Sequence, residues 1–128
     1  MTEFTLKRPT ILVAEDEEFN FLIIEEWLSD MELNILHARN GKQAVEICSN
    51  RNDISLVLMD IKMPILDGHS AATYIKEMQP NIPIIAQTAY ALESEINHYS
   101  GGVFDEYMTK PLDKELLLSR VAHYTQLA

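Results

Sequence analysis

Five apolar runs of strand length alternate with segments of helical period along the whole chain, and this rhythm restricts the fold more than any other feature. The runs occupy 11–14, 34–38, 54–59, 83–88 and 104–109, mostly edged by polar or turn residues. Ile54-Ser-Leu-Val-Leu-Met is nearly continuous, which suits a strand covered on both faces inside a parallel sheet. The first helical segment, 18–31, brings Phe19, Leu22, Ile23, Glu26, Trp27 and Asp30 together in a stripe with an apolar centre, with Ile24 and Leu28 beside it. Asn40 is placed to cap the second, which turns Ala44, Val45, Ile47 and Cys48 inward. A third covers 68–78 and stops before Pro80, and a fourth covers 92–99 and ends at Gly101-Gly102. The fifth follows Asp113, a second candidate cap, and directs Leu116, Leu117, Val121 and Tyr124 to the core. Strict βα alternation repeated five times predicts an α/β domain with a parallel sheet and right-handed crossovers.

Length and charge narrow the function. The 128 residues amount to one domain, expected over 10–127 with 1–9 as a leader or linker. Ten Lys+Arg against 20 Asp+Glu give a net charge of −10, which repels phosphate backbones and anionic lipid. Direct binding to nucleic acid or a membrane surface is therefore not expected, whereas cations and basic partners are favoured. The single cysteine, Cys48, cannot form an intramolecular disulfide, and histidines 37, 69, 98 and 123 are too scattered for a zinc site. No signal-peptide core and no run of 18 apolar residues is found, so a cytoplasmic setting is expected.

In an open parallel sheet, chemistry collects at the carboxyl ends of the strands. The first run leads into Glu15-Asp16-Glu17-Glu18, the third into Asp60, the fourth ends on Thr88 and the fifth on Lys110-Pro111. If the first and third strands are neighbours, Glu15, Asp16 and Asp60 converge, and two like charges about 4 Å apart repel by ~4 kcal/mol at an effective dielectric of ~20. A protonated carboxyl, a lysine or a divalent cation could offset that repulsion. Hard oxygen ligands suit Mg²⁺, with Mn²⁺ as a second possibility. Glu17 and Glu18 need no chemical role, since acids in a first helical turn are favoured by the helix dipole.

This constellation resembles the receiver domain of two-component response regulators. The resemblance covers 10–127 and rests on Ile-Leu-Val-Ala-Glu-Asp-Glu, Leu-Val-Leu-Met-Asp-Ile-Lys-Met-Pro-Ile-Leu-Asp-Gly, Ile-Ile-Ala-Gln-Thr-Ala-Tyr-Ala and Gly-Gly-Val-Phe-Asp-Glu-Tyr-Met-Thr-Lys-Pro-Leu. It implies a flavodoxin-like, doubly wound (βα)5 fold with strand order 2-1-3-4-5. It also implies Asp60 as phospho-acceptor, Asp16 and Asp60 as direct Mg²⁺ ligands, Glu15 acting through water and Lys62 contributing its backbone carbonyl. Thr88 and Lys110 would contact the phosphoryl oxygens, Tyr107 would be the aromatic switch partner of Thr88, and the peptide before Pro111 would be cis. The phosphodonor would be a histidine kinase or a histidine phosphotransfer domain. The output would be the face of the fourth helix, fifth strand and fifth helix, with Tyr90, Ile96, Tyr99, Phe104 and Tyr107 as candidate contacts.

Glu15 departs from the more usual Asp, which changes its reach to the metal. Glu-Asp-Glu-Glu-Phe-Asn, Met-Asp-Ile-Lys-Met-Pro and Gln-Thr-Ala-Tyr-Ala look most like receivers attached to hybrid sensor histidine kinases, with a complete single-domain regulator as the alternative. Autocatalytic phosphorylation and dephosphorylation of Asp60 are expected, without stand-alone turnover. Two rivals share the alternation. A flavodoxin-like cofactor module needs a phosphate-cradling loop after the first strand, where four carboxylates stand; a Mg²⁺-dependent Asp-x-Asp phosphatase needs an acid where Lys62 stands.

Overall fold

The computed structural model describes residues 8–89 and 103–125. Five parallel strands, β1 (Thr10–Ala14), β2 (Asn34–Ala38), β3 (Ile54–Asp60), β4 (Ile84–Thr88) and β5 (Glu106–Thr109), form one sheet in the order β2-β1-β3-β4-β5. Four described helices flank it: α1 (Glu18–Trp27), α2 (Gly41–Ser49), α3 (Gly68–Met78) and a C-terminal helix, Lys114–Thr125. The doubly wound α/β fold and its strand order agree with the expectation. The expected helix over 92–99, the pair Gly101-Gly102, and Tyr90, Ile96 and Tyr99 lie outside the described residues, as do 1–7 and 126–128.

Alternation along the central strands divides the interior into two layers. Leu12 and Ala14 of β1, Val57 and Met59 of β3, and Ile84 and Ala86 of β4 face Ala44, Cys48, Ala71, Ala72 and Ile75 of α2 and α3. Ile11, Val13, Leu56, Leu58, Ile85 and Met108 face Phe21, Ile24 and Leu28 on one side and Leu117 and Val121 on the other. All five residues of β1 are buried, consistent with its place between two strands. No described helix is long and apolar enough to cross a membrane.

Caps fix the helix starts. Asn40 accepts the Gln43 N–H at 2.8 Å, Asp67 accepts that of Ser70 at 2.8 Å, and Asp113 accepts that of Leu116 at 3.2 Å. Val45 and Ile47 of α2 are half-buried against the core that fully covers Ala44 and Cys48.

Several expected details are corrected. The first helix is shorter than 18–31: α1 ends at Trp27, a 3-10 turn covers Ser29–Met31, and Glu32 adopts φ 53°. Its buried stripe is also different. Phe21, Ile24 and Leu28 point inward, whereas Phe19 is 73% and Leu22 49% exposed. The aromatic that enters the core is the one that stacks on His37 of β2, with ring centroids 3.7 Å apart. In the C-terminal helix Leu116 is exposed and Tyr124 half-buried; Leu117, Val121 and Thr125 are the residues that meet the sheet. β4 begins at Ile84, after Pro83, which has no N–H for a ladder but still accepts from Val57 N at 3.0 Å. β5 begins at Glu106, because the Asp105 side chain turns back to accept the Ile84 N–H at 2.7 Å and the Lys76 ammonium at 2.9 Å.

Candidate functional site

Three strand ends and one loop build the site. β1 hands its chain to Glu15 and Asp16, β3 ends on Asp60, β4 ends on Thr88, and the segment after β5 carries Lys110. Because β3 lies between β1 and β4, the middle acid is flanked from both sides. Carboxylate oxygens of Glu15, Asp16 and Asp60 all lie within 4.8 Å of one another. Lys110 Nζ donates to Asp60 Oδ2 at 3.0 Å and to Glu15 Oε1 at 3.3 Å. Asp16, Asp60, Lys62, Thr88 and Lys110 line a cleft of about 230 Å³. The third strand ends on Asp60, as the sequence indicates, so its backbone is held in the sheet.

Local contacts explain why these groups stand where they do. The Glu15 N–H bonds to Ala38 O at 2.9 Å, and its own carbonyl accepts from His37 Nε2 at 2.8 Å, which ties the first acid to β2. Ile61 N bonds to Gln87 O at 3.1 Å and Lys110 N to Thr88 O at 2.7 Å, locking the loops above β3, β4 and β5 together. Gly68 opens α3 directly beneath Asp60: a methyl there would sit 2.1 Å from the Asp60 backbone oxygen. The Lys110–Pro111 peptide bond is cis.

Electrostatics follow from burial. Glu15 is fully buried, and loss of water together with the Asp60 charge pushes its carboxyl up to about 7 against the opposing pull of Lys110. Burial raises Asp60 too, while Lys110 acts in the opposite sense. Burial alone would lower Lys110, yet its two carboxylate partners outweigh that and hold its ammonium above the usual lysine range. The cluster thus carries more negative charge than one lysine balances.

Tyr107 stands on β5, opposite Ala86, with its ring edge-on to Phe104 at 5.5 Å. Its hydroxyl is enclosed and finds no hydrogen-bond partner among the described residues. Sequence reasoning missed two contributors. Gly68 was legible only as part of an Asp-Gly helix start, and the hold of His37 on Glu15 had no signal in the chain. Glu17 and Glu18 serve locally: Glu17 accepts from Asn20 at 3.1 Å and Glu18 from Arg39 at 2.7 Å.

The response regulator receiver domain family matches residues 11–122. The autoinducer 1 sensor kinase/phosphatase LuxN of Vibrio campbellii is 32% identical over 90% of this chain, and hybrid signal transduction histidine kinase I of Dictyostelium discoideum is 37% identical over 84% of it. This chain spans 13% of the first protein and 7% of the second. Among solved structures, the receiver domain of sensor histidine kinase PA1611 from Pseudomonas aeruginosa, with a magnesium ion coordinated in its active-site cleft, superposes with a TM-score of 0.84. It is 29% identical, and the match covers 94% of this chain and 99% of that one.

Proposed function

The chain belongs to the response regulator receiver domain family, and from that premise we propose that Asp60 is its phospho-acceptor. The phosphoryl group would come from a phosphohistidine on a histidine kinase or histidine phosphotransfer domain. One observation carries this reading: the Asp60 carboxylate ends the middle strand inside a carboxylate cluster, with the Lys110 ammonium 3.0 Å away.

The donor set fits a hard divalent cation. Three carboxylates, all offering oxygen, crowd together against a single lysine, which leaves charge for Mg²⁺ to neutralise and admits Mn²⁺. Asp16 and Asp60 would hold the ion directly, Glu15 through water and Lys62 by its backbone carbonyl. When bound, such an ion supplies charge neutralisation to the acids and to the incoming phosphoryl oxygens.

The chain's own residues account for the remaining steps. Asp60 attacks phosphorus in line, forming an O–P bond as the P–N bond to the donor imidazole breaks, and the electron pair leaves with that nitrogen. The protein's task is placement. The Asp60 backbone is fixed by the sheet and by Gly68 beneath it, so its carboxylate stands ready in the cleft. Lys110 already pairs with Asp60 and can follow the new negative charge onto a phosphoryl oxygen, while Thr88, lining the same cleft, donates a hydrogen bond. A shift of Thr88 would be sensed by Tyr107, whose neighbour across the β4–β5 ladder is Ala86, two residues before Thr88. Such a switch shifts an existing equilibrium toward the form the phosphoryl group binds better. The output is assigned to the face of β5, the C-terminal helix and the segment between β4 and β5.

The parent of the domain, residues 10–127, is proposed to be a hybrid sensor histidine kinase, on the strength of the kinases it resembles. The domain is placed on the cytoplasmic side, with 1–9 as linker and without contact to lipid or nucleic acid. The acceptor assignment is tested by mixing the chain with a histidine kinase carrying labelled phosphohistidine. Label should move to the wild type and not to Asp60→Asn; equal labelling of the two would refute it.

A further inference from the structure

Gln87 is a polar side chain buried in the interior layer between β4 and α1, and its carboxamide is stranded. The residue is 1% exposed, and neither Nε2 nor Oε1 has a hydrogen-bond partner among the described residues. Buried amide groups are almost always paired, because an unpaired donor and acceptor forfeit their hydration with nothing in return. Alternation along β4 sends Gln87 to the same side as Ile85, away from the α2 and α3 layer that takes Ala86. There it borders a cavity of about 360 Å³, within the size range of small-molecule sites.

The rest of the cavity defines what could enter. Ile23, Ile24 and Trp27 of α1 line it from one side and Pro111 and Leu112 from the other, so its walls are mostly apolar with one aromatic surface; Asn20 of α1 also lines it, with its amide nitrogen donating to Glu17 at 3.1 Å. Glu15 and Lys110 close one end, paired with each other at 3.3 Å, and Lys110 is held as well by Asp60 at 3.0 Å, so both are already engaged in the acidic cluster, whose excess negative charge disfavours an anion. A carboxamide presents an acceptor beside a donor, and its natural complement is a second amide edge in the cis arrangement. We propose that this cavity is a binding site for a small, neutral, planar molecule of the lactam class, its N–H and C=O paired with Gln87 and its ring body against Trp27. The site is separate from the acidic cleft, with which it shares Lys110 as a wall.

The probe is 2-quinolone, a flat bicyclic lactam, titrated into the ¹⁵N-labelled 128-residue chain and followed by NMR. Saturable shifts of the Gln87 side-chain NH₂ and the Trp27 indole N–H are expected. Binding should weaken by about tenfold or more for 1-methyl-2-quinolone, which lacks the donor, and for Gln87→Leu, which lacks both partners. Gln87→Leu should fold at least as well as the wild type, since it removes two unpaired groups. Ile23→Trp, at a half-buried position of α1, fills the same space and should exclude the probe if Gln87→Leu proves unstable. Absence of saturable shifts in the wild type would overturn the proposal. So would equal binding to the wild type and the folded variant, or a Gln87 amide that keeps an ordered water and ignores the probe.

Discussion

At single residues, burial acts on Glu15 and Cys48 by the same physics with different consequences. Glu15 has like charge beside it and a lysine to answer it, so its shifted carboxyl belongs to a cluster of interacting charges. Cys48 packs into the apolar core, and burial pushes its thiol up to about 11 from 9.0. The thiolate is the reactive form, and at pH 8 it is then roughly a thousandth of the population. Alkylation by iodoacetamide at pH 8 should be far slower in the native protein than in urea, and should accelerate as pH rises toward 11; equal rates in both states would contradict this. Because the folded thiol ionises later than the unfolded one, its contribution to stability is full below pH 9.0 and is lost as pH rises to about 11. The candidate site was readable through the joint placement of acids, a hydroxyl and a lysine at successive strand ends, each of which alone would be ordinary. The isolation of Gln87 was not, since a glutamine beside Thr88 in a strand looks ordinary until its surroundings are known.

Among the elements, α1 shows where sequence pattern fails. Phe19, Phe21, Leu22, Ile23, Ile24, Trp27 and Leu28 spread apolar character around most of the helix, so periodicity alone could not choose a face. Tertiary contact chose it: Phe21 stacks on His37 and packs with Ile24 and Leu28 against the sheet. Phe21→Ala should therefore cost about 3–5 kcal/mol in urea denaturation, whereas Phe19→Ser should stay within about 0.5 kcal/mol of wild type. Equal losses would restore the expected stripe. The strands were legible because their apolar runs are short and bounded, and errors there were confined to the ends, where Pro83 and Asp105 alter the ladder. At the start of α3, Gly68→Ala would drive a methyl into the Asp60 backbone. A loss of about 1–3 kcal/mol is expected, with slower phosphorylation because the acceptor's backbone must move. Unchanged stability and rate would show that the loop yields freely.

Over the whole molecule, strand order turns dispersed sequence into one site. Glu15 and Lys110 are 95 positions apart and Asp60 lies 50 from Lys110, yet the order β2-β1-β3-β4-β5 brings all three into contact. The net charge of −10 read at first as a bar to anionic partners. Part of that excess is now located, in three carboxylates gathered at the carboxyl end of the sheet within 4.8 Å. The measurement that bears most directly on this arrangement is intact mass after incubation with a small phosphodonor and Mg²⁺. The wild type should gain a single phosphoryl group, Asp60→Asn none, and chelation of Mg²⁺ should suppress the gain; a wild type that stays unmodified, or a variant that is modified equally, would contradict Asp60 as the acceptor.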